Sequence, residues 1–337
     1  MTERMKKTMG LAAFGLAGAL FLSGCGNESG GGDEKESTSS KEQTYQVGIS
    51  QYVEHPSLDA ATEGFKKALE DEKISVEYDE QNANNDQNNV QTIANNFAGD
   101  GVDLIFANAT PSAQAALNAT KDIPIVFTSV TDAVGAQLVK SMEEPGGNVT
   151  GTIDNHPDAI PNTVKFISEN FPGKTIGTVY NAGEQNSVAQ VEIIKDSIKE
   201  LGLNDLVTAT VSTSAEVKQA AESLIGKADV IYVITDNTVV SALESVSQVA
   251  NDNDLPLFVG EFDSVKRGGF AAYGFDYKDI GYEAGLLAAQ ILKGEKKPSE
   301  LPAQYPQNLK LVINKEAAKE MNIELKDEWK DIAEFIE

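Results

Sequence analysis

The sequence predicts an α/β protein of two doubly wound, parallel-sheet units joined by a three-segment hinge, and three observations carry this reading. Short β-branched runs alternate with longer stretches of helical period from residue 44 onward, in the order strand, helix, strand. The rhythm breaks at the turn-rich EEPGGNVTGTID and starts again at residue 175. A further helix and strand follow the second series, so the chain has to pass back between the units.

In the first series YQVGIS reads as a strand and PSLDAATEGFKKALEDE as a helix, with Leu58, Ala61, Phe65, Ala68 and Leu69 on one face. ISVEYDE is the next strand. DQNNVQTIANNFAGDG follows as a helix with Val90, Ile93, Ala94 and Phe97 at helical spacing. VDLIFA and PIVFTS are compact apolar runs separated by the helical PSAQAALNAT, as expected for strands covered on both faces. EEPGGNVTGTID is turn-rich and then extended, and reads as a crossover. The second series runs through TIGTVYN, SVAQVEIIKDSIKELG, LVTATVS, SAEVKQAAESLIGKA, DVIYVIT and TVVSALESVSQVANDND to LPLFVG. In the tail, an extended run leads to a helix from about Lys278 to Lys293, and then to NLKLVIN and KEAAKEMNIEL.

The N-terminus is of a different kind. MTERMKK is followed by an uncharged apolar run and by LSGC, the basic, apolar and small order of a secretory signal, too short for a spanning helix. The single cysteine, Cys25, stands where such a signal is cut, in the pattern of a bacterial lipobox whose cysteine is lipidated. One cysteine also excludes an internal disulfide and a cysteine-based zinc site. GNESGGGDEKESTSSKEQ has no apolar period and reads as a flexible tether. The formal net charge of −25 argues against a nucleic-acid or anionic-membrane surface as partner.

Taken together, the lipobox, VGISQYVEHPSLDAATEGFKKAL, QNANND, ANATPSAQAAL, IPIVFTSVTDAV and DIGYEAGLLAAQILKGE resemble the tryptophan/tyrosine-type substrate-binding lipoproteins of bacterial ABC importers. The resemblance covers essentially all of residues 44–325, and the VEHPSLD loop is its most particular feature. It implies a type I periplasmic-binding-protein fold, capture of an aromatic amino acid (Trp, Tyr or Phe) and delivery to a membrane permease. It also implies a monomer without cofactor or catalysis, held on the outer face of the cell membrane only by its lipid. The expected division is a signal peptide over 1–24, a lipidated tether over 25–43, a first lobe of 44–151 plus about 277–306, and a second of 152–276 plus about 307–337.

In open parallel sheets ligands bind beyond the carboxyl ends of the strands. The residues that follow the strands are mostly hydroxyls, amides and a few carboxylates, a set suited to a zwitterion. They place Ser50, Gln51, Tyr52, Asn82, Thr110, Ser112, Ser129 and Thr131 at the first lobe's edge of the cleft, and Asn181, Asp236, Asn237 and Asp276 at the second's. Apart from Arg4 in the signal, Arg267 is the only arginine, so a ligand carboxylate has to be met by hydroxyls, backbone N–H groups and helix N-termini. Thr110 and Ser112 flank Pro111 at such a terminus. Asp236 and Asp276 suit an ammonium, although each also stands where a helix needs a cap. Tyr52, Tyr180, Phe262 and Phe275 are candidates to flank a ring.

His55 and His156 are the only histidines, and each precedes a proline at a helix start. This is the setting of a rigid turn and lacks the converging ligands of a metal or hydrolytic site. The sequence has no G-x-S-x-G elbow and no phosphate-cradling G-x-x-x-x-G-K. The alternatives that stay open are a sugar, purine nucleoside or peptide-like ligand in the same fold and, from another class, a surface hydrolase.

Overall fold

The computed structural model describes residues 43–171 and 175–337; the expected signal peptide, Cys25 and nearly all of the tether lie outside the described residues. The first lobe is built from β1 (Thr44–Gln51), α1 (Pro56–Asp71), β2 (Ser75–Asn82), α2 (Gln87–Asp100), β3 (Leu104–Asn108), α3 (Thr110–Ala119), β4 (Ile125–Val130) and β5 (Val149–Ile153). Its sheet has the order β2-β1-β3-β4-β5, parallel throughout. The runs LIFAN and IVFTSV are buried along their whole length because helices cover both faces.

The second lobe contains α4 (Ala159–Asn170), β6 (Ile176–Asn181), α5 (Gln185–Leu201), β7 (Val207–Val211), α6 (Val217–Glu222), β8 (Val230–Val233), α7 (Asn237–Val240), α8 (Leu243–Asp252), β9 (Leu257–Val259), α9 (Phe262–Lys266) and β10 (Ala271–Gly274). The chain then returns to the first lobe as α10 (Tyr277–Leu292) and ends in the second as β11 (Lys310–Asn314), α11 (Lys315–Glu320) and β12 (Ala333–Ile336). The second sheet has the order β12-β11-β10-β9-β8-β6-β7, with only the β10–β11 pair antiparallel. The chain therefore crosses between the lobes after β5, after β10 and before β11.

The extended end of the segment expected as a crossover is β5, which pairs as an edge strand of the first sheet. Between Phe127 and Val130 the β4–β5 register shifts, three steps on β4 against two on β5, and Ser129 inside this irregularity takes φ 55°. A bulge at the end of a strand re-aims its side chains, here at the edge where a ligand is expected.

Helix α10 completes the first lobe by packing against α1 at very short range. A Cβ at Gly281 would lie 1.9 Å from the Ala61 carbonyl oxygen, and one at Gly64 would lie 2.1 Å from that of Lys278. Only glycine lets two helix backbones approach this closely. Beneath the crossing, Phe65 stacks on Phe106 with ring centroids 3.9 Å apart. In the second lobe Phe258 and Phe270 meet edge to face at 5.3 Å, and the single tryptophan, Trp329, is buried against Phe166 and Phe270. The lone Trp thus belongs to the core.

Candidate functional site

The carboxyl edge of the first sheet concentrates polar atoms that the protein leaves unsatisfied. Ser50, Asn108, Thr110, Ser112 and Ser129 are all buried, and the hydroxyls of the four Ser/Thr residues and Oδ1 of Asn108 have no protein partner. An orphaned buried polar group costs about 1–3 kcal/mol, so five on one edge mark a place built for something else to complete. Helix α3 starts there, and its N-cap Ala109, held at φ 92°, supplies no side-chain cap. The first-turn N–H groups, with their partial positive charge, stand beside the free hydroxyls of Thr110 and Ser112. This edge suits an anion such as a carboxylate.

The facing edge of the second lobe carries the opposite charge. Asp236 and Glu184 are buried side by side, and neither has a salt-bridge partner among the described residues. Glu184 accepts hydrogen bonds from Asn237 Nδ2 at 2.6 Å and from Thr238 Oγ1 at 2.7 Å and N at 3.1 Å. Asp236 caps α7 by accepting from Val239 N at 2.8 Å, and it accepts from Asn181 N at 2.6 Å. Burial, and then the neighbouring Glu184 charge, push the Asp236 carboxyl up to about 7. Two buried carboxylates without a cation suit an ammonium group.

Direct hydrogen bonds join the lobes. Asn85 donates to Thr238 Oγ1 at 3.0 Å, and Gln190 donates to Thr131 Oγ1 at 3.2 Å while its Oε1 accepts from Thr235 N at 3.1 Å and Oγ1 at 3.0 Å. Thr131 in turn donates to Asp154 Oδ1 at 2.9 Å, and Tyr277 donates to Asp154 Oδ2 at 2.6 Å. Asp154 follows β5 and Tyr277 opens α10, so this buried chain ties two of the crossings to both lobes. Burial raises the Asp154 carboxyl and, with Asp154's charge beside it, the Tyr277 phenol as well.

The structure thus brings Ser50, Thr110, Ser112 and Ser129 to one edge, and Asn181, Asp236 and Asn237 to the other. Tyr52 lies between them: it is buried, its OH accepts from Gln87 Nε2 at 3.2 Å, and burial and then the Glu184 charge push its phenol well above its ordinary value. The Thr131 hydroxyl is fully engaged in the interlobe chain. Gln51 bonds Asp59 at 2.7 Å and Thr62 at 2.9 Å, and with Asn82 it lines a groove between α1 and β2. Asp276 is an exposed cap of α10 beside Phe262 and Lys266. Phe275 is buried against Tyr277, and Tyr180 is half-buried beside the second core. Sequence reasoning passed over Glu184, Asn108 and Gln190. Glu184 and Asn108 lie beyond or at the end of a strand in stretches rich in such residues, and Gln190 sits on an amphipathic helix where nothing marks it.

Residues 46–334 match the model of the family described as ABC transporter substrate binding protein. The chain belongs to this family. A tyrosine-binding protein of Clostridioides difficile is 44% identical over 328 residues, covering 95% of this chain and 94% of that protein. The structure of a Streptococcus pneumonia ABC domain in complex with L-Trp superposes with a TM-score of 0.82 at 33% identity, over 87% of this chain and all of the other. A ligand-free, open substrate-binding protein of Clostridium difficile, at 40% identity over 87% of this chain and 99% of the other, superposes with only 0.65. The chain superposes more closely on the L-Trp complex than on the open, ligand-free protein, although it is more identical to the latter. It has the two-lobed fold of type I periplasmic binding proteins, and like its family it is extracytoplasmic.

Proposed function

We infer that this substrate-binding protein captures a free aromatic amino acid, tryptophan or tyrosine, and presents it in the closed form to a membrane permease. The observation that carries this reading is the polarity of the cleft: unpartnered hydroxyls and the α3 N-terminus on the first lobe face the Asp236–Glu184 carboxylates on the second. An α-amino acid carries its carboxylate and its ammonium on the same α-carbon, and each finds its complement on a different lobe. Closure then completes both sets of contacts at once, and the ligand shifts the population toward the closed form. Tyr52 stands beside the carboxylate pair, where a ring can pack against it. The tyrosine and L-Trp named for two relatives support an aromatic side chain.

The same reading places a lipid on Cys25, with residues 26–43 as a tether. Incorporation of labelled palmitate into the full chain, lost in Cys25→Ala, tests this part.

The ligand is tested by thermal shift of residues 26–337 against the twenty amino acids, nucleosides and common sugars. A ligand at about 1,000 times Kd adds roughly 4 kcal/mol of stability. The expected response is confined to Trp, Tyr and Phe. A shift with a sugar or nucleoside and none with these three overturns the amino-acid reading.

A further inference from the structure

The loop between β2 and α2 takes a left-handed path at two residues in a row. Asn84 stands at φ 53° and Asn85 at φ 61°, a region that asparagine tolerates better than most residues but still at a cost. Hydrogen bonds hold the loop there. Asn84 N–H donates to Asn82 Oδ1 at 2.7 Å, Asn85 N–H to the Tyr52 carbonyl at 2.9 Å, and Ala83 N–H to the Gln51 carbonyl at 2.9 Å. The Asn84 side chain is exposed and turns back to the Asn82 carbonyl. Asn85 is half-buried, and its side chain leaves the lobe altogether: Nδ2 donates to Thr238 Oγ1 of the second lobe at 3.0 Å.

Thr238 is fully buried, and its hydroxyl has one proton and two lone pairs to place. The proton goes to Glu184 Oε1 at 2.7 Å, the shortest contact this oxygen makes and the one to a carboxylate. One lone pair takes Asn181 Nδ2 at 3.0 Å, from within the second lobe. The other is left for Asn85, so the hydroxyl is saturated only when the first lobe has arrived. Asn85 Oδ1, 3.3 Å from the same oxygen, finds no proton there, which sets the amide with its Nδ2 toward Thr238. A hydroxyl that accepts a further bond also donates more strongly, here to Glu184.

We propose that Asn85 is a positioning residue that latches lobe closure onto the carboxylate pair, by closing on the one hydroxyl that also holds Glu184. This rests on the two-lobed capture described above and names the residue through which the first lobe reaches the ammonium's side of the cleft. The strained loop is then the support that aims Asn85. The Gln190–Thr131 bond is separate from it, so removing the latch weakens closure without abolishing it.

Asn85→Gly removes the side chain and leaves the backbone at ease at φ 61°, and Asn84→Gly makes the same change one residue earlier without touching the second lobe. Stopped-flow rates on residues 26–337, with L-Trp and L-Tyr as probes, read the difference. Asn85→Gly is expected to release the amino acid about three- to tenfold faster. Its association rate is expected to be unchanged or raised, because the ligand enters the open form, and Asn84→Gly is expected to match the native protein. In a Thr238→Val background, where the shared hydroxyl is gone, Asn85→Gly is expected to change release by less than about twofold. An unchanged release rate in Asn85→Gly overturns the proposal. So does an equal rise in Asn84→Gly, or a full effect that persists in the Thr238→Val background.

The latch is made by protein groups alone, so a second measurement needs no ligand. Residues 26–337 contain no cysteine, and spin labels on Asn118→Cys/Asp196→Cys, exposed positions on α3 and α5, report the distance between the lobes. The ratio of near to far populations is expected to fall about three- to tenfold in Asn85→Gly, and identical distance distributions overturn the proposal. If neither amino acid binds, the ligand reading fails while the spin-labelled pair still decides the role of Asn85.

Discussion

Gln190 of the second lobe donates to the Thr131 hydroxyl of the first at 3.2 Å, and the same side chain accepts both the N–H and the hydroxyl of Thr235. One amide therefore reads the position of both lobes. Removing it in Gln190→Ala leaves Thr131 short of a donor and two Thr235 donors without an acceptor when the lobes close. A loss of about 1–2 kcal/mol is expected, roughly five- to thirtyfold in Kd, carried mainly by faster ligand release. Stopped-flow dissociation of the bound amino acid checks it, and an unchanged off-rate would refute a closing role for Gln190.

Ser112 and Thr110 separate binding from stability. Their hydroxyls are buried and unpartnered, so replacing either by alanine removes a cost from the unliganded protein. Ser112→Ala is expected to keep or raise the unliganded melting temperature while weakening the ligand about tenfold. Calorimetry of both forms makes the comparison, and a parallel loss of stability and binding would mean that the hydroxyl serves the fold.

Asp236 makes the unliganded fold sensitive to alkali. Its carboxyl is raised to about 7 in the folded protein, above its unfolded value of about 3.8, so the fold favours the neutral acid. The stabilisation is complete below about pH 3.8 and is lost as pH rises through about 7. Between pH 5 and pH 8 the unliganded melting temperature is expected to fall in the native protein and to fall less in Asp236→Asn. Parallel curves would show that Asp236 is already charged at pH 5. The same substitution is expected to weaken amino-acid binding by at least about tenfold, because it removes a charge from the ammonium's side of the cleft.

The α1–α10 crossing tolerates no side chain at its centre. Gly281→Val is expected to cost 3 kcal/mol or more, beyond ordinary overpacking, because the Ala61 backbone cannot yield as a side chain does. Gly99 in α2 has open space around its Cβ position, and Gly99→Ala is expected to stabilise by about 0.5–1 kcal/mol. Thermal melts of the two variants check the pair, and similar melts would contradict the packing described here.

The fold class was legible because doubly covered strands leave an unmistakable trace: LIFAN and IVFTSV are apolar from end to end, and PSLDAATEGFKKALED repeats Leu58, Ala61, Phe65 and Leu69 on one face. The extended form of VTGTI was legible but its place in the first sheet was not, because a glycine among threonines after a Pro-Gly-Gly turn leaves the pairing with β4 to tertiary contact. β12 was missed for a related reason, since AEFI is short, half-exposed and held only by its parallel neighbour β11. At the cleft, strand ends pointed to a polar edge but not to the direction of each side chain. Ser50 and Gln51 are adjacent on β1, and alternation leaves one unpartnered at the buried edge while the other bonds Asp59 and Thr62. His55 was legible as a turn residue, and its Nδ1 caps α1 by accepting the Leu58 N–H at 3.5 Å.

The cover of α1, residues 56–71, comes from residues 277–292, on the far side of the second lobe's strands β6 to β10 in the chain. While the chain emerges from the ribosome, the Gly64–Ala68 face waits for a helix that has not yet been made. The first lobe cannot reach its final packing until the whole second sheet up to β10 has been made. Residues far apart in the chain thus have to be brought together before the first lobe is complete, a long-range closure that comes late in folding.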